Sequence, residues 1–206
     1  MEQNEKVDTT RRMLIRGVLV GSAVAFLGSA LGLGRYTVPP PPTLQPFPRV
    51  LLGKASQLQV GQPYQYKYPL ANQPNIIVKI GKKAQFGVGP DHDIVSFSNI
   101  CQHLGCIYVY ENNATCPNGA TFPGGHCPCH GSHYNFLENG KVMCGPAPRP
   151  VPRVILEYDP VTDNIWAIGM APPTIFGFNT GSDNVAYDLI GGPLIPDGSQ
   201  ATLTPL

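Results

Sequence analysis

Cysteine and histidine residues recur together in two short stretches of the sequence, and both residue types are common metal ligands. The first stretch, CQHLGC, spans residues 101–106, and the second, CPCHGSHY, spans residues 127–134. All six cysteines of the chain lie between positions 101 and 144. Such clustering predicts a metal site, a set of disulfides or both.

The spacing of these residues favours one kind of metal centre. Structural zinc sites usually take cysteine pairs from C-x2–4-C knuckles, whereas a single residue separates the two cysteines of the second stretch. A cluster with four cysteine ligands would leave both histidines without a role. A [2Fe–2S] centre with two cysteines on one iron and two histidines on the other takes one of each from each stretch. One cysteine per stretch is then spare, which suggests a disulfide joining the two loops.

The rest of the chain predicts a mainly β domain that carries these stretches on loops. Twenty-three prolines and 23 glycines among 206 residues favour turns, and no segment after residue 36 has a convincing helical apolar period. The net charge of +1 gives no reason to expect a nucleic-acid partner. Short strands are predicted at residues 63–68, 75–80, 93–100 and 107–111.

Two hairpins and one long loop complete this prediction. The first hairpin covers residues 134–143 and turns at Asn139-Gly140, a favoured two-residue turn. The second covers residues 153–169. Residues 111–126 are rich in Asn, Gly and Pro and are predicted to form a long loop.

The N-terminal segment has the pattern of an export signal followed by a membrane anchor. Arg11 and Arg12 precede an uncharged run from Gly17 to Gly34. As a helix, this run would span about 27 Å, close to the hydrocarbon thickness of a bilayer. Basic residues concentrate before the run, so the positive-inside rule predicts a cytoplasmic N-terminus. The twin arginine resembles an export address; an uncleaved anchor is favoured, and a cleaved signal is the alternative.

The two cysteine–histidine stretches resemble the motifs of Rieske iron–sulfur proteins. CQHLGC is similar to C-x-H-x-G-C, CPCHGS is similar to C-x-C-H-x-S, and GPAP at residues 145–148 resembles the proline loop that covers the cluster in this family. The subgroup resembled is the subunit of cytochrome bc-type quinol-oxidising complexes. The resemblance implies a Rieske-type antiparallel β domain with a cluster-binding loop subdomain, preceded by one transmembrane helix.

This resemblance implies four segments along the chain. Residues 1–36 hold the cytoplasmic N-terminus, the signal and the anchor, and residues 37–48 form a Pro-rich hinge that favours a semi-rigid polyproline conformation. Residues 49–170 form the Rieske domain, whose cluster-binding part spans residues 101–150. The sequence of the C-terminal extension, residues 171–206, leaves open whether it wraps the domain or contacts a partner.

The resemblance also assigns the ligands and one disulfide. The ligands of the Rieske-type [2Fe–2S] cluster are Cys101, His103, Cys127 and His130. Cys106 and Cys129 form the disulfide that clamps the two cluster loops together, and an extracytoplasmic location favours its persistence.

Further residues are assigned roles around this cluster. The hydroxyls of Ser132 and Tyr134 would donate hydrogen bonds to cluster sulfurs and raise the reduction potential. Leu104, Gly145 and Pro146 would cover the cluster or form the docking tip, with ordinary loop packing as the alternative for Leu104.

The remaining cysteines and histidines fall outside these motifs. Cys116 and Cys144 are predicted to form a second disulfide, since the motifs use the other four cysteines; separate free thiols are the alternative. The other histidines are predicted to be packing or surface residues, and they are His92, His126 and His133.

The implied function is electron transfer in a membrane respiratory complex. His103 and His130 would contact quinol and accept an electron coupled to a proton, and the electron would pass to a c-type cytochrome or another acceptor. A cytochrome b-type subunit would be the partner, so this chain alone is not a complete enzyme. The implied location is the plasma membrane of a prokaryote, as a single-pass protein with the cluster domain outside the cytoplasm. The alternative function is the small Rieske subunit of an exported molybdenum oxidase such as arsenite oxidase.

Overall fold

The computed structural model describes residues 47–171, 176–178, 186–188 and 193–206. Within these ranges the chain is almost entirely β-strand and loop, and the one helix found there is a three-residue 3-10 turn at Ala55–Gln57. No helix among the described residues is long and apolar enough to cross a bilayer. The predicted anchor and export signal lie outside the described residues.

The strands form two main antiparallel sheets and one short pair. A seven-stranded sheet has the order β1-β10-β9-β4-β3-β2-β13, in which the strands are β1 (Val50–Lys54), β2 (Pro63–Lys67), β3 (Pro74–Lys79), β4 (Ile94–Ser98), β9 (Arg153–Asp159), β10 (Asn164–Ala171) and β13 (Thr204–Pro205). A four-stranded sheet has the order β5-β6-β7-β8, in which the strands are β5 (Val109–Thr115), β6 (Thr121–Cys127), β7 (Ser132–Asn135) and β8 (Lys141–Cys144). The short pair joins β11 (Phe176–Phe178) and β12 (Ala186–Asp188).

Strands β3 and β4 are buried on both faces, and this explains how the two main sheets come together. Alternate residues of a strand point to opposite faces. On β3, Ile77 packs into one apolar cluster with residues of β1, β2, β9 and β10. Its neighbours Ile76 and Val78 pack into a second cluster, with Tyr134 and Phe136 from the four-stranded sheet and its following loop. The four-stranded sheet therefore packs on the face of β3 and β4 that is opposite to the first apolar cluster.

Most of the predicted strands are present, and the loop predicted at 111–126 is wrong. That stretch forms the antiparallel strands β5 and β6, joined by a tight turn in which Cys116 N–H donates to Ala120 O at 2.9 Å. Ala114 and Phe122 face each other across the pair and are buried with Cys116. The composition of this stretch did not predict strands, because Gly, Pro and Asn are typical of loops and only a few residues of β5 and β6 are apolar.

The two predicted hairpins are also present, one with a longer turn than expected. The pair β9–β10 turns between Asp159 and Asn164. The pair β7–β8 turns at Asn139 and Gly140, whose φ angles of 55° and 68° are left-handed, but the connection spans residues 136–140 rather than two residues.

The end of the chain is built into the seven-stranded sheet. Leu51 N–H donates to Ser199 O at 2.8 Å, and Ala201 N–H donates to Leu51 O at 2.9 Å. Further along, β13 pairs with β2, and Arg49 N–H donates to the Asp197 carboxylate at 2.6 Å. Residues 193–206 thus wrap the domain, which the sequence had left undecided.

Candidate metal centre

Two loops at one end of the four-stranded sheet carry the predicted ligands. The first loop leads from β4 to β5 and is closed by Cys101 N–H donating to Cys106 O at 2.7 Å. The second loop leads from β6 to β7 and is closed by Gly131 N–H donating to Cys127 O at 2.9 Å. Cys127 ends β6, so the sheet itself fixes the start of the second loop.

The four predicted ligands form two close pairs, one of buried cysteines and one of more exposed histidines. Cys101 and Cys127 are each 1% exposed, and both are free thiols. His103 is partly exposed and His130 is exposed. The two imidazole rings meet edge to face with centroids 4.7 Å apart.

The environment of the site sets the protonation of two of these groups. Burial, reinforced by the neighbouring His130, lowers the pKa of His103 and so favours its neutral imidazole. Burial and a hydrogen bond with Cys101 raise the pKa of Cys127 to about 11. A metal that binds here would therefore displace a thiol proton, as metal ligation by cysteine generally requires.

One buried atom tests whether these residues fit a cluster. Nδ1 of His103 is buried and has no hydrogen-bond partner among the described residues. An unpaired buried nitrogen is costly unless something binds it. A buried, unpaired imidazole nitrogen on the first loop and two free buried thiols on the two loops are suitable donors for a histidine-ligated [2Fe–2S] centre.

Both predicted disulfides are present in the structure. Cys106 and Cys129 are bonded with their Cα atoms 6.7 Å apart, and this bond links the two ligand loops. Cys116 and Cys144 are bonded with their Cα atoms 6.0 Å apart, and this bond links the β5–β6 turn to the end of β8. The prediction of separate free thiols at these two positions is thereby excluded.

Two tight groups of possible metal ligands coincide with these disulfides. The sulfurs of Cys106, Cys127 and Cys129 lie within 4.8 Å of one another, and so do the ligand atoms of Cys116, His133 and Cys144. Each group contains a complete disulfide. Neither group is therefore a metal site in the oxidised protein.

Tyr134, on strand β7, contacts the first ligand loop through its hydroxyl. Its oxygen lies 3.1 Å from Cys101 Sγ and accepts a hydrogen bond from Gln102 N–H at 3.0 Å. Burial, followed by the Cys101 contact, raises the pKa of Tyr134 far above its usual value. The hydroxyl therefore keeps its proton, and it can donate a hydrogen bond to Cys101 Sγ when that sulfur is a thiolate.

Ser132 contacts the proline loop through its hydroxyl. Its buried hydroxyl oxygen accepts a hydrogen bond from Ala147 N–H at 3.1 Å, which leaves the hydroxyl proton free to be donated. Gly145 has a left-handed φ of 90°, and a Cβ there would lie 2.3 Å from Gly131 O. Only glycine lets this loop pack against the second ligand loop.

The predicted cover residues lie at the surface, and the other histidines lie outside the two ligand loops. Gly145 and Pro146 are exposed at the start of the proline loop, and Leu104 is partly exposed beside His103. His92 is exposed as predicted, while His126 and His133 stack on each other with centroids 4.3 Å apart.

One supporting residue escaped the motif analysis. Tyr108 is 1% exposed, packs on Tyr134 and donates its hydroxyl to Ser98 O at 2.7 Å. The run IYVYE indicated a strand but gave no sign that this tyrosine lies under the site. Its position follows from the contact between the two sheets, which no local pattern records.

Comparison with known proteins identifies the family. The model of the Rieske [2Fe–2S] domain matches residues 49–155, more than half of the chain. The chain therefore belongs to the Rieske family, and it carries a Rieske [2Fe–2S] domain whose cysteine and histidine groups are placed to bind a cluster. Proteins of this family transfer electrons, and this chain is a Rieske electron-transfer subunit.

Several relatives differ in the complexes for which they are named. The iodate reductase subunit IdrB of Denitromonas iodatirespirans is 33% identical over 138 residues, which cover 65% of this chain and 68% of that protein. The cytochrome b6-f complex iron-sulfur subunit of Chlorobaculum tepidum is 28% identical over 146 residues, which cover 70% of this chain and 68% of that protein.

A solved structure supports the fold. The soluble domain of the Rieske protein II (soxF) from Sulfolobus acidocaldarius matches with a TM-score of 0.54 and 30% identity. The match covers 74% of this chain and 94% of the solved one. The mainly β, antiparallel architecture predicted from the sequence is confirmed.

Proposed function

We propose that this chain accepts one electron, coupled to a proton, from a quinol and passes it to a c-type cytochrome or another acceptor. Its partner in this reaction is a cytochrome b-type subunit of a membrane complex. The observation that carries the proposal is the difference in exposure among the predicted ligands. The free thiols are 1% exposed, while His130 is exposed and His103 is partly exposed.

The ligands in this proposal are Cys101, His103, Cys127 and His130. When bound, the [2Fe–2S] cluster supplies a one-electron acceptor. Because Nδ1 of His103 is buried, its Nε2 is the nitrogen left to exchange a proton with quinol. Leu104 lies beside that histidine and offers an apolar contact to the quinol ring.

The test uses the full chain in complex with the membrane proteins that copurify with it. Anaerobic addition of a ubiquinol or menaquinol analogue should reduce the Rieske centre, and the complex should contain b-type haem. Leu104→Asp should slow quinol-driven reduction while dithionite still reduces the centre fully. Val161→Asp is the matched control, because Val161 is 91% exposed on the β9–β10 turn. A complex without b-type haem, whose centre dithionite reduces and quinol does not, would contradict the proposal.

A second candidate is the small Rieske subunit of an exported oxidoreductase, such as an arsenite oxidase. The similarity to proteins named as iodate reductase subunits favours it. In that case the copurifying partner would be a large soluble oxidoreductase in place of a b-type cytochrome. The identity of the partner in the same purification distinguishes the two candidates.

We also propose that residues 1–36 direct export and anchor the chain. The twin arginine and the uncharged run support this location. Replacing Arg11 and Arg12 together by Lys should leave the protein in the cytoplasm. Wild-type protein should remain in the membrane pellet after alkaline carbonate washing, and its release would indicate a cleaved signal.

A further inference from the structure

A row of side chains crosses the four-stranded sheet and ends beside the second ligand loop. Val109, His126, His133 and Cys144 are successive cross-strand partners on β5, β6, β7 and β8. Residues directly opposite in antiparallel strands share one face. This pairing places the rings of His126 and His133 nearly parallel, with 9° between their planes.

Each histidine of this row makes a second polar contact. Nδ1 of His126 lies 2.9 Å from Oε1 of Glu111, and the carboxylate accepts a hydrogen bond from the ring N–H. Nδ1 of His133 lies 3.0 Å from Gly131 O. A carbonyl oxygen can only accept, so Nδ1 of His133 carries the proton.

The carbonyl that His133 holds belongs to the residue after His130. Gly131 N–H closes the loop on Cys127 O at 2.9 Å, and the proline loop presses on Gly131 O at Gly145, where there is no room for a Cβ. The peptide between His130 and Ser132 is thus fixed from three sides. His133 supplies the one side-chain hydrogen bond to that carbonyl among the described contacts.

We propose that Glu111, His126 and His133 are positioning residues that fix the backbone carrying His130. Glu111 orients His126, the stacked ring of His126 sets the plane of His133, and His133 holds Gly131 O. This inference deepens the proposed function and rests on His130 being a ligand. None of the three residues touches the reacting atoms.

Burial makes the last contact in this chain the decisive one. His133 is 7% exposed, so water does not readily replace its hydrogen bond when the donor is removed. Glu111 and His126 are more exposed, with side-chain exposures of 40% and 32%. Substitutions there should therefore act in the same direction and more weakly.

The experiment compares His133→Phe with His133→Asn in the full chain carrying its cluster. Phenylalanine keeps the ring and removes the donor, whereas Asn places an amide N–H where Nδ1 was. His92→Phe is the matched control, since His92 is exposed and its Nδ1 is 3.4 Å from Gly87 O. The readouts are the g values of the reduced centre, its midpoint potential and the rate of cluster loss on warming.

His133→Phe should shift the g values and the midpoint potential and should lose the cluster about two- to ten-fold faster, the range expected for one hydrogen bond. His133→Asn and His92→Phe should match wild type. Failure of His133→Phe to assemble a cluster, with assembly kept in His133→Asn, also supports the proposal. Wild-type values in His133→Phe, or equal changes in the Phe and Asn variants, would overturn it.

The same measurements separate this inference from the proposed function. If wild-type protein carries no histidine-ligated centre, the ligand assignment itself fails. If wild type has that centre and quinol does not reduce it, the quinol role fails while the positioning role is still measured. Whenever the wild type has that centre, His126→Phe, which keeps the stacked ring but loses the Glu111 contact, should give a smaller change than His133→Phe.

Discussion

The hydroxyl groups nearest the two free thiols are where we expect the reduction potential to be tuned. Tyr134 is fully buried, and its hydroxyl oxygen lies 3.1 Å from Cys101 Sγ on the first ligand loop. If Cys101 holds the cluster as a thiolate, this hydroxyl would donate a hydrogen bond to its sulfur. A donor in that position stabilises the reduced state and raises the potential.

Replacing Tyr134 by Phe should lower the midpoint potential while the cluster still assembles. The ring still packs on Tyr108, and only the donor to Cys101 Sγ is lost. Protein-film voltammetry measures the change. The control is Tyr110→Phe, whose hydroxyl reaches Asn112 on the exposed surface. Equal potentials in wild type and Tyr134→Phe would leave this hydroxyl with a structural role.

Ser132→Ala tests the second hydroxyl separately. Its oxygen already accepts from Ala147 N–H, so the substitution removes a donor to the cluster sulfur and loosens the proline loop. The potential should fall, and the cluster should stay in place. Voltammetry measures the change, and the Ser132→Ala/Tyr134→Phe double variant should have a lower potential than either single variant. A potential unaltered by Ser132→Ala would limit the serine to holding the loop.

The pH dependence of the potential follows from the exposed histidine pair. If His103 and His130 hold the cluster, its reduction would strengthen proton binding at these rings. The potential should therefore be constant at acid pH and fall as pH rises through the range in which the oxidised protein releases imidazole protons. Voltammetry across the pH range measures this slope, and a potential that is constant into strongly alkaline solution would exclude titrating histidine ligands.

At the scale of elements, the second disulfide connects two strands that are distant in the sequence, since its cysteines are 28 positions apart. Cys116 lies in the β5–β6 turn and Cys144 ends β8, so the bond spans the two outer strands of the four-stranded sheet. It also anchors the start of the proline loop, one residue before Gly145. The bond therefore braces the sheet that carries the second ligand loop.

Replacing Cys116 and Cys144 together by Ala should lower the free energy of unfolding by about 3 to 4 kcal/mol, the loss expected in the chain-entropy model for a loop of this size. Urea unfolding of the oxidised protein measures the change. Under reducing conditions, with the cluster intact, the difference between wild type and the variant should largely vanish. A double variant as stable as the wild type would show that the bond contributes little.

Some elements could be predicted from sequence and others could not, for physical reasons. The pair β9–β10 has two runs rich in β-branched and aromatic residues around a clear turn, so its local pattern is sufficient. Strand β6 reads TFPGGHC, and its two glycines are required because Tyr134 O and the Tyr108 ring lie where a Cβ would be. Close packing requires glycine at these positions, and glycine is not a residue type that predicts a strand.

At the scale of the whole molecule, the site is carried by a small sheet resting on a larger one. Motif spacing was enough to predict the ligands, because both loops are short and self-contained. The support beneath them depends on long-range contacts such as Tyr108 against Tyr134 and on the stacking of His126 and His133. His126 and His133 are packing residues, and the sequence did not indicate that they stack on each other.

The C-terminal segment is a further property of the whole molecule. Residues 193–206 lie along β1 and β2, on the side of the seven-stranded sheet that holds the first apolar cluster. Ile195, Ala201 and Leu203 pack against that cluster. Residues 193–206 thus pack against the domain's core, and the family match ending at residue 155 understates the length of the folded unit.

The most direct test of the account is the metal content and EPR spectrum of the purified full chain. The account predicts two irons and two acid-labile sulfides per chain, and a reduced spectrum whose average g lies well below 2, because histidine nitrogens ligate the reduced iron. Replacing His130 by Cys should abolish that spectrum. Stoichiometric zinc without iron, or a reduced spectrum typical of a cluster with four cysteine ligands, would contradict it.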